Sequence, residues 1–193
     1  ATPMTESRPT FFSQRLPLLV LGLLLTLLSA CTPTQVIKGD KGEQWQMKGK
    51  LGIWTAETQE GAQLNWLQCG NTYQIRLSGP LGMGAVVIDG NQEEVTLSQP
   101  GKTEWTEKTP EDLMEKIGWN LPVSSLFHWL RMRPHPKYEF SEERDGGDRL
   151  ESLSQQGWLV EYQRYQSSET NALPSLIQIK DADLRAKFII SDW

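Results

Sequence analysis

The chain has 193 residues, 19 of them Lys or Arg and 24 Asp or Glu, for a net charge of −5. That balance, with no basic patch, argues against nucleic acid as a partner and against holding anionic lipid by charge alone. Membrane contact therefore has to be apolar.

Arg8 and Arg15 precede the apolar run "LPLLVLGLLLTLL" over residues 16–28, with Met4 as the expected start. This run suits a secretory core and falls short of the ~20 residues that a membrane-spanning helix needs. "LSAC" follows, and a small residue before a cysteine directly after such a run resembles the lipobox of bacterial lipoproteins. The resemblance implies that residues 1–30 are a leader and that Cys31 becomes the acylated first residue. It also implies three acyl chains. At ~0.8 kcal/mol per buried CH₂ a single chain anchors only marginally, so three make a stable anchor. Thr32 stands where an Asp would favour retention in the inner membrane, which implies the outer membrane. The other reading is an ordinary signal peptide with a nearby cysteine.

Residues 31–193 carry 17 basic and 23 acidic side chains, net −6, and their length suits one domain with a sizeable core. With Cys31 lipidated, Cys69 in "QCGN" has no disulfide to form with it and reads as a turn residue. Residues 31–43 are short, polar and contain two glycines, a tether, and residues 44–193 are expected to form the single domain.

Alternation predicts strands from Trp45 onward. "WQMKGKLGIW" puts Met47, Leu51 and Ile53 on one face. "AQLNWLQ" does so with Leu64 and Trp66, and "YQIRL" with Tyr73, Ile75 and Leu77, the last two strands joined by a turn at Cys69-Gly70-Asn71. "RLSGPLGMGAVV" then holds Leu81 and Met83 among glycines where a polar turn is expected. The glycines permit positive φ. The neighbouring strands already carry the core face, which predicts an apolar tip reaching outward rather than folding back. "AVVID", "EVTLS" and "KTEWTEK" complete five or six antiparallel strands in meander order.

The period then changes. Thr109-Pro110-Glu111-Asp112 supplies a capping hydroxyl, a first-turn proline and two acids, with Leu113, Met114 and Ile117 at helical spacing and Gly118 as the stop. Ser124 or Ser125 is expected to cap a second short helix carrying Leu126, Trp129 and Leu130 on one face, with Arg131 and Arg133 at its C-terminal end and Pro134 closing it. "SEERDGGD" at 141–148 reads as a solvated, mobile loop. "LESLS", "WLVEYQRYQ", "SLIQIK" and "LRAKFIIS" are strands, the last two joined by a turn at Asp181-Ala182-Asp183. The expected architecture is mainly β: a curved antiparallel half-open barrel, capped by short α-helices and enclosing an apolar cavity.

Chemistry is sparse. His128 and His135 stand in no metal-ligand spacing, and no G-x-S-x-G elbow is present. Gly79, Gly82 and Gly84 are in the wrong order for a dinucleotide loop, and no helix follows them. No enzyme activity, cofactor or metal is expected. Tryptophan stands out at 45, 54, 66, 105, 119, 129, 158 and 193. Several belong in a core. Trp66, Trp119, Leu126, Trp129 and Leu130 are the residues expected to line a hollow suited to alkyl chains.

The lipobox, the tryptophan-rich strands, the strand–"PLG"–strand loop, "EKIGWNLPVSSLFHWLRMRPHP" and the terminal "DW" together resemble the LolB family of outer-membrane lipoprotein receptors, over about residues 45–193. The resemblance implies a half-open antiparallel barrel with helices as a lid. It implies a monomer without cofactor that is lipid-anchored in the outer membrane and faces the periplasm. Such a receptor accepts acylated lipoproteins from the periplasmic carrier LolA and inserts them into outer-membrane lipid. A protruding leucine in the matching loop serves release, which implies that role for Leu81. Gly-Met-Gly after the leucine departs from the family pattern, and Met83 is expected to share the role. The competing reading is a passive structural or protein-binding envelope lipoprotein with a filled core.

Overall fold

The computed structural model describes residues 42–102 and 104–193. Cys31, the leader over 1–30 and most of the tether lie outside them. Eleven antiparallel strands form one sheet. They are β1 (Gln44–Trp54), β2 (Gln59–Cys69), β3 (Thr72–Ser78), β4 (Val86–Gly90), β5 (Val95–Ser98), β6 (Trp105–Glu107), β7 (Phe140–Arg144), β8 (Leu150–Gln155), β9 (Trp158–Tyr165), β10 (Pro174–Lys180) and β11 (Arg185–Asp192). Their order is β6-β5-β4-β3-β2-β1-β11-β10-β9-β8-β7. Each half is thus a meander, and the pairing of β1 with β11, with Leu51 opposite Phe188, joins the halves. The one long connection, from β6 to β7, carries helices α1 (Pro110–Lys116) and α2 (Val123–Trp129).

The predicted faces are the observed ones. Met47, Leu51, Ile53, Leu64, Trp66, Tyr73, Ile75 and Leu77 are all buried. A shift of one residue in any of these strands would turn its apolar set to water. Cys69 is not in the turn: it is the last residue of β2, opposite Thr72, and is buried. Gly70, with φ of 58°, and Asn71 make the turn alone.

The sheet curls. Phe127 of α2 packs on Trp66 and Tyr73, at ring-centroid distances of 5.2 and 4.9 Å. Trp129, two residues on, donates its indole N–H to Gln155 of β8 at 2.8 Å. β3 and β8 are six strand steps apart, about 29 Å in a flat sheet, so one short helix reaches both only if the sheet wraps around it. One buried cluster accordingly unites both helices with residues of β1–β5 and β8–β11.

Two local expectations are corrected. Neither Ser124 nor Ser125 caps α2. One of its N-terminal N–H groups is served from α1 instead, the Glu111 carboxylate accepting from the Ser124 N–H at 2.8 Å and from the Ser124 hydroxyl at 3.1 Å. The two helices are thereby fastened to each other. Thr109 does cap α1, accepting from the Asp112 N–H at 3.1 Å. The stretch expected to be a mobile loop begins as β7, an exposed strand paired with β8. Its acids, Glu142 and Glu143, are what an open sheet edge uses to discourage pairing with another chain.

Candidate functional site

The connection from β3 to β4 is a tightly turned knob. Pro80–Gly82 form a single 3-10 turn. The Gly79 N–H donates to Met83 O at 2.9 Å and the Gly82 N–H to Gly79 O at 3.1 Å, closing the loop on itself. Leu81 has φ of 59° and ψ of 19°, a left-handed conformation that costs a branched side chain about 1–2 kcal/mol. Gly82 and Gly84 also take positive φ, at no such cost. The strain is spent on putting an apolar group into solvent: Leu81 is 97% exposed and Met83 66%.

Behind the knob lies an open groove of about 710 Å³. Gly79 and Gly84 form its rim. Leu77, Val86, Leu97, Trp105, Ile117 and Trp119 are among its lining. Its volume is within the ~300–1,000 Å³ typical of small-molecule sites. Sequence reasoning singled out Trp119 here and missed Val86, Trp105 and Ile117. The available signal was Trp105, a half-exposed indole in the otherwise polar stretch "KTEWTEK".

Beneath the helices the expected hollow is nearly filled. A space of about 40 Å³ remains, lined by Trp66, Trp119, Leu126, Met114 and neighbouring strand residues. That is room for a water or two rather than an alkyl chain. The physical reason is aromatic packing. Trp66 lies against Trp45, Tyr73 and Phe127, and Met114 and Leu121 close over it as buried members of the same core. Of the residues expected to line the hollow, Trp66, Trp119 and Leu126 border this small space. Trp129 and Leu130 are wholly buried, and Trp129 is tied to β8 and β9 through Gln155 and Tyr162. Among the described residues no helix is long and apolar enough to cross a membrane, and no group of three or more His, Cys, Asp or Glu could hold a metal ion.

A family model described as outer membrane lipoprotein LolB matches residues 43–193. An outer-membrane lipoprotein LolB from Pseudomonas aeruginosa is 35% identical over 197 residues, covering 93% of this chain and 96% of its own. One from Pseudomonas savastanoi pv. phaseolicola is 40% identical over 150 residues, 77% of this chain and 73% of its own. The chain belongs to the LolB family. A solved LolA superfamily protein from Nitrosomonas europaea superposes on this LolB-family chain with a TM-score of 0.51 at 11% identity, over 78% of this chain and 84% of that one. A likeness at that identity speaks for the fold alone.

The second helix of this LolB-family domain is fastened to the sheet by buried hydrogen bonds. Gln155, buried at the end of β8, accepts from Trp129 Nε1 and from the His135 N–H, both at 2.8 Å. Its amide donates to His135 O at 3.0 Å and to Tyr138 O at 2.8 Å. The Tyr162 hydroxyl donates to Trp129 O at 2.7 Å, and the Ser125 hydroxyl to Gln156 at 2.6 Å. Past α2, Arg131 and Arg133 both pair with Glu43, the latter at 3.0 Å. The expected benefit to the helix dipole is therefore joined by a tie to the start of β1.

The Arg131 hydrogen bond holds the Glu43 carboxyl below its ordinary pKa. A carboxyl with a lowered folded pKa contributes stability above its unfolded value, near 4.3, and loses it as pH falls through the folded value. Glu43→Gln is expected to flatten the acid side of the stability–pH curve below about pH 4. Urea unfolding at a series of pH values reads this, and an unchanged acid limb would mean that the tie contributes nothing.

Proposed function

We propose that the chain is an outer-membrane lipoprotein receptor. It accepts acylated lipoproteins from the periplasmic carrier LolA and inserts them into the outer membrane, held there by lipid on Cys31 with the domain facing the periplasm. The reading is one of binding and transfer, not catalysis. The observation that carries it is Leu81, held nearly fully exposed on a strained backbone in the loop whose Gly79 and Gly84 border a groove lined in part by Leu77, Val86, Trp105 and Trp119. A tethered protein gains ~1.5–3 kcal/mol from burying one leucine in lipid. That suffices for brief insertion and is too little for anchorage.

Transfer without an energy source requires the receptor to hold acyl chains more tightly than the carrier does, tenfold for each ~1.4 kcal/mol. The membrane must hold them more tightly again. With only about 40 Å³ inside, loading requires the lid to move, and cargo drives that shift by binding the open form better than the closed one. The filled interior also favours a second reading, a passive envelope lipoprotein.

Transfer from a loaded carrier separates the two. The mature chain with Cys31→Ala is expected to remain in solution and take up acylated lipoprotein. Uptake of none, together with no saturable binding of a hydrophobic dye, would leave the passive reading standing.

A further inference from the structure

The open groove and the small interior space share Leu77, Ile88 and Trp119. Leu77 and Ile88 are locked in the β2–β3–β4 ladder. Trp119 is the shared residue that no strand holds. It sits just past α1 in a Schellman cap: the Gly118 N–H donates to Glu115 O at 3.0 Å and the Trp119 N–H to Met114 O at 2.9 Å, with Gly118 at φ of 81°. A Cβ at Gly118 would meet nothing within 4 Å, so its backbone conformation is the constraint there and not crowding.

The indoles on the lid differ in how they are held. Trp129 is wholly buried, hydrogen-bonded to Gln155 and 6.4 Å from the Trp158 ring. Trp119 is half-buried, and among the described residues its indole has neither a hydrogen-bond partner nor a ring neighbour. The end of the lid that carries Trp129 is fixed to β8 and β9. The end that carries Trp119 is held through its backbone cap, through apolar contact and, three residues earlier, through the ion pair of Lys116 with Glu107 at the surface.

From this we propose that Trp119 is the gate between the two spaces: as the α1 end of the helical pair lifts and enlarges the interior, its indole swings away about the Gly118 cap and admits a single alkyl chain from the groove, while Trp129 and the strands stay in place. The inference rests on the receptor reading, and it assigns the entry side of that receptor to the groove behind Leu81. A gate changes rates in both directions more than it changes affinity, because the bound and free end states remain as they were.

The test uses the full mature chain with Cys31→Ala and dansyl-undecanoate as the probe, followed by stopped-flow fluorescence. Trp119→Ala is expected to raise both the association and the dissociation rate constants on the order of tenfold. Trp119→Phe falls between, and Trp129→Phe changes neither. If Trp119→Ala fails to fold, Trp119→Leu, which keeps apolar bulk, carries the same expectation at smaller size. Binding by the parent chain with rates that Trp119→Ala or Trp119→Leu leaves unchanged overturns the gate and leaves the receptor reading standing. Absence of saturable binding by the parent chain overturns both.

Discussion

Leu81→Glu is expected to take up cargo as the parent does and to deliver it to phospholipid vesicles about thirtyfold more slowly. The leucine touches nothing that a folded core needs, since it is 97% exposed, so stability should stay within about 0.5 kcal/mol of the parent. What is lost is the burial of one leucine in lipid, about 2 kcal/mol, and each 1.4 kcal/mol is a factor of ten. Leu81→Gly makes the argument sharper. Glycine relieves the left-handed strain at φ of 59°, which should stabilise the domain by about 1 kcal/mol, while delivery still falls. A substitution that stabilises the fold and weakens delivery separates a site role from a structural one. Fluorescence dequenching of labelled lipoprotein in vesicles reads delivery, and urea unfolding reads stability. Delivery by Leu81→Glu at the parental rate would remove the knob from the mechanism.

What could be read in advance from the chain, and what could not, divides by distance. The inward faces of β1, β2 and β3 follow from a two-residue period, and the cap at Thr109 from neighbours three residues away. Leu81 was legible for a similar local reason, because a short glycine-rich loop leaves a leucine nowhere to turn. The cap of α2 was not, because it comes from Glu111, 13 residues earlier. Nor was the tie between Glu43 and Arg133, across 90 residues. The filled interior is harder still. Residue types show that Trp66, Tyr73 and Phe127 belong inside. Whether three rings line a hollow or occupy it depends on their packing, and here they meet ring to ring at 4.9–6.5 Å. The strand β7 was hidden by its composition: a charged, exposed edge looks like a loop, and only its backbone pairing with β8 makes it a strand.

The lid should be most sensitive at Gln155. Gln155→Leu keeps the volume and removes every polar contact of a side chain that is 3% exposed. Four hydrogen bonds are lost, but not at equal cost. His135 and Tyr138 are partly exposed, so water can serve the groups they lose. The Trp129 indole N–H is wholly buried and would be left without an acceptor, a cost of about 1–3 kcal/mol for that group alone. Adding the weaker losses gives about 3 kcal/mol, a large part of the ~5–15 kcal/mol that holds a domain of this size.

Gln155→Glu distinguishes hydrogen bonding from packing. An ionised carboxylate there still accepts from Trp129 and His135, but it confronts the carbonyls of His135 and Tyr138 with a negative charge in a buried place. A protonated carboxyl can donate as the amide does. Its folded pKa is therefore raised above the unfolded value of about 4.3. The stability of this variant should be greatest below that value and should fall as pH rises through the raised one. Unfolding curves of Gln155→Glu taken near pH 4 and near neutrality, with exchange protection of the Trp129 indole N–H followed by NMR, read the effect. Protection that stays at the parental level in both variants would show that α2 is held by packing alone, and the fixed end of the lid would then have to be sought elsewhere.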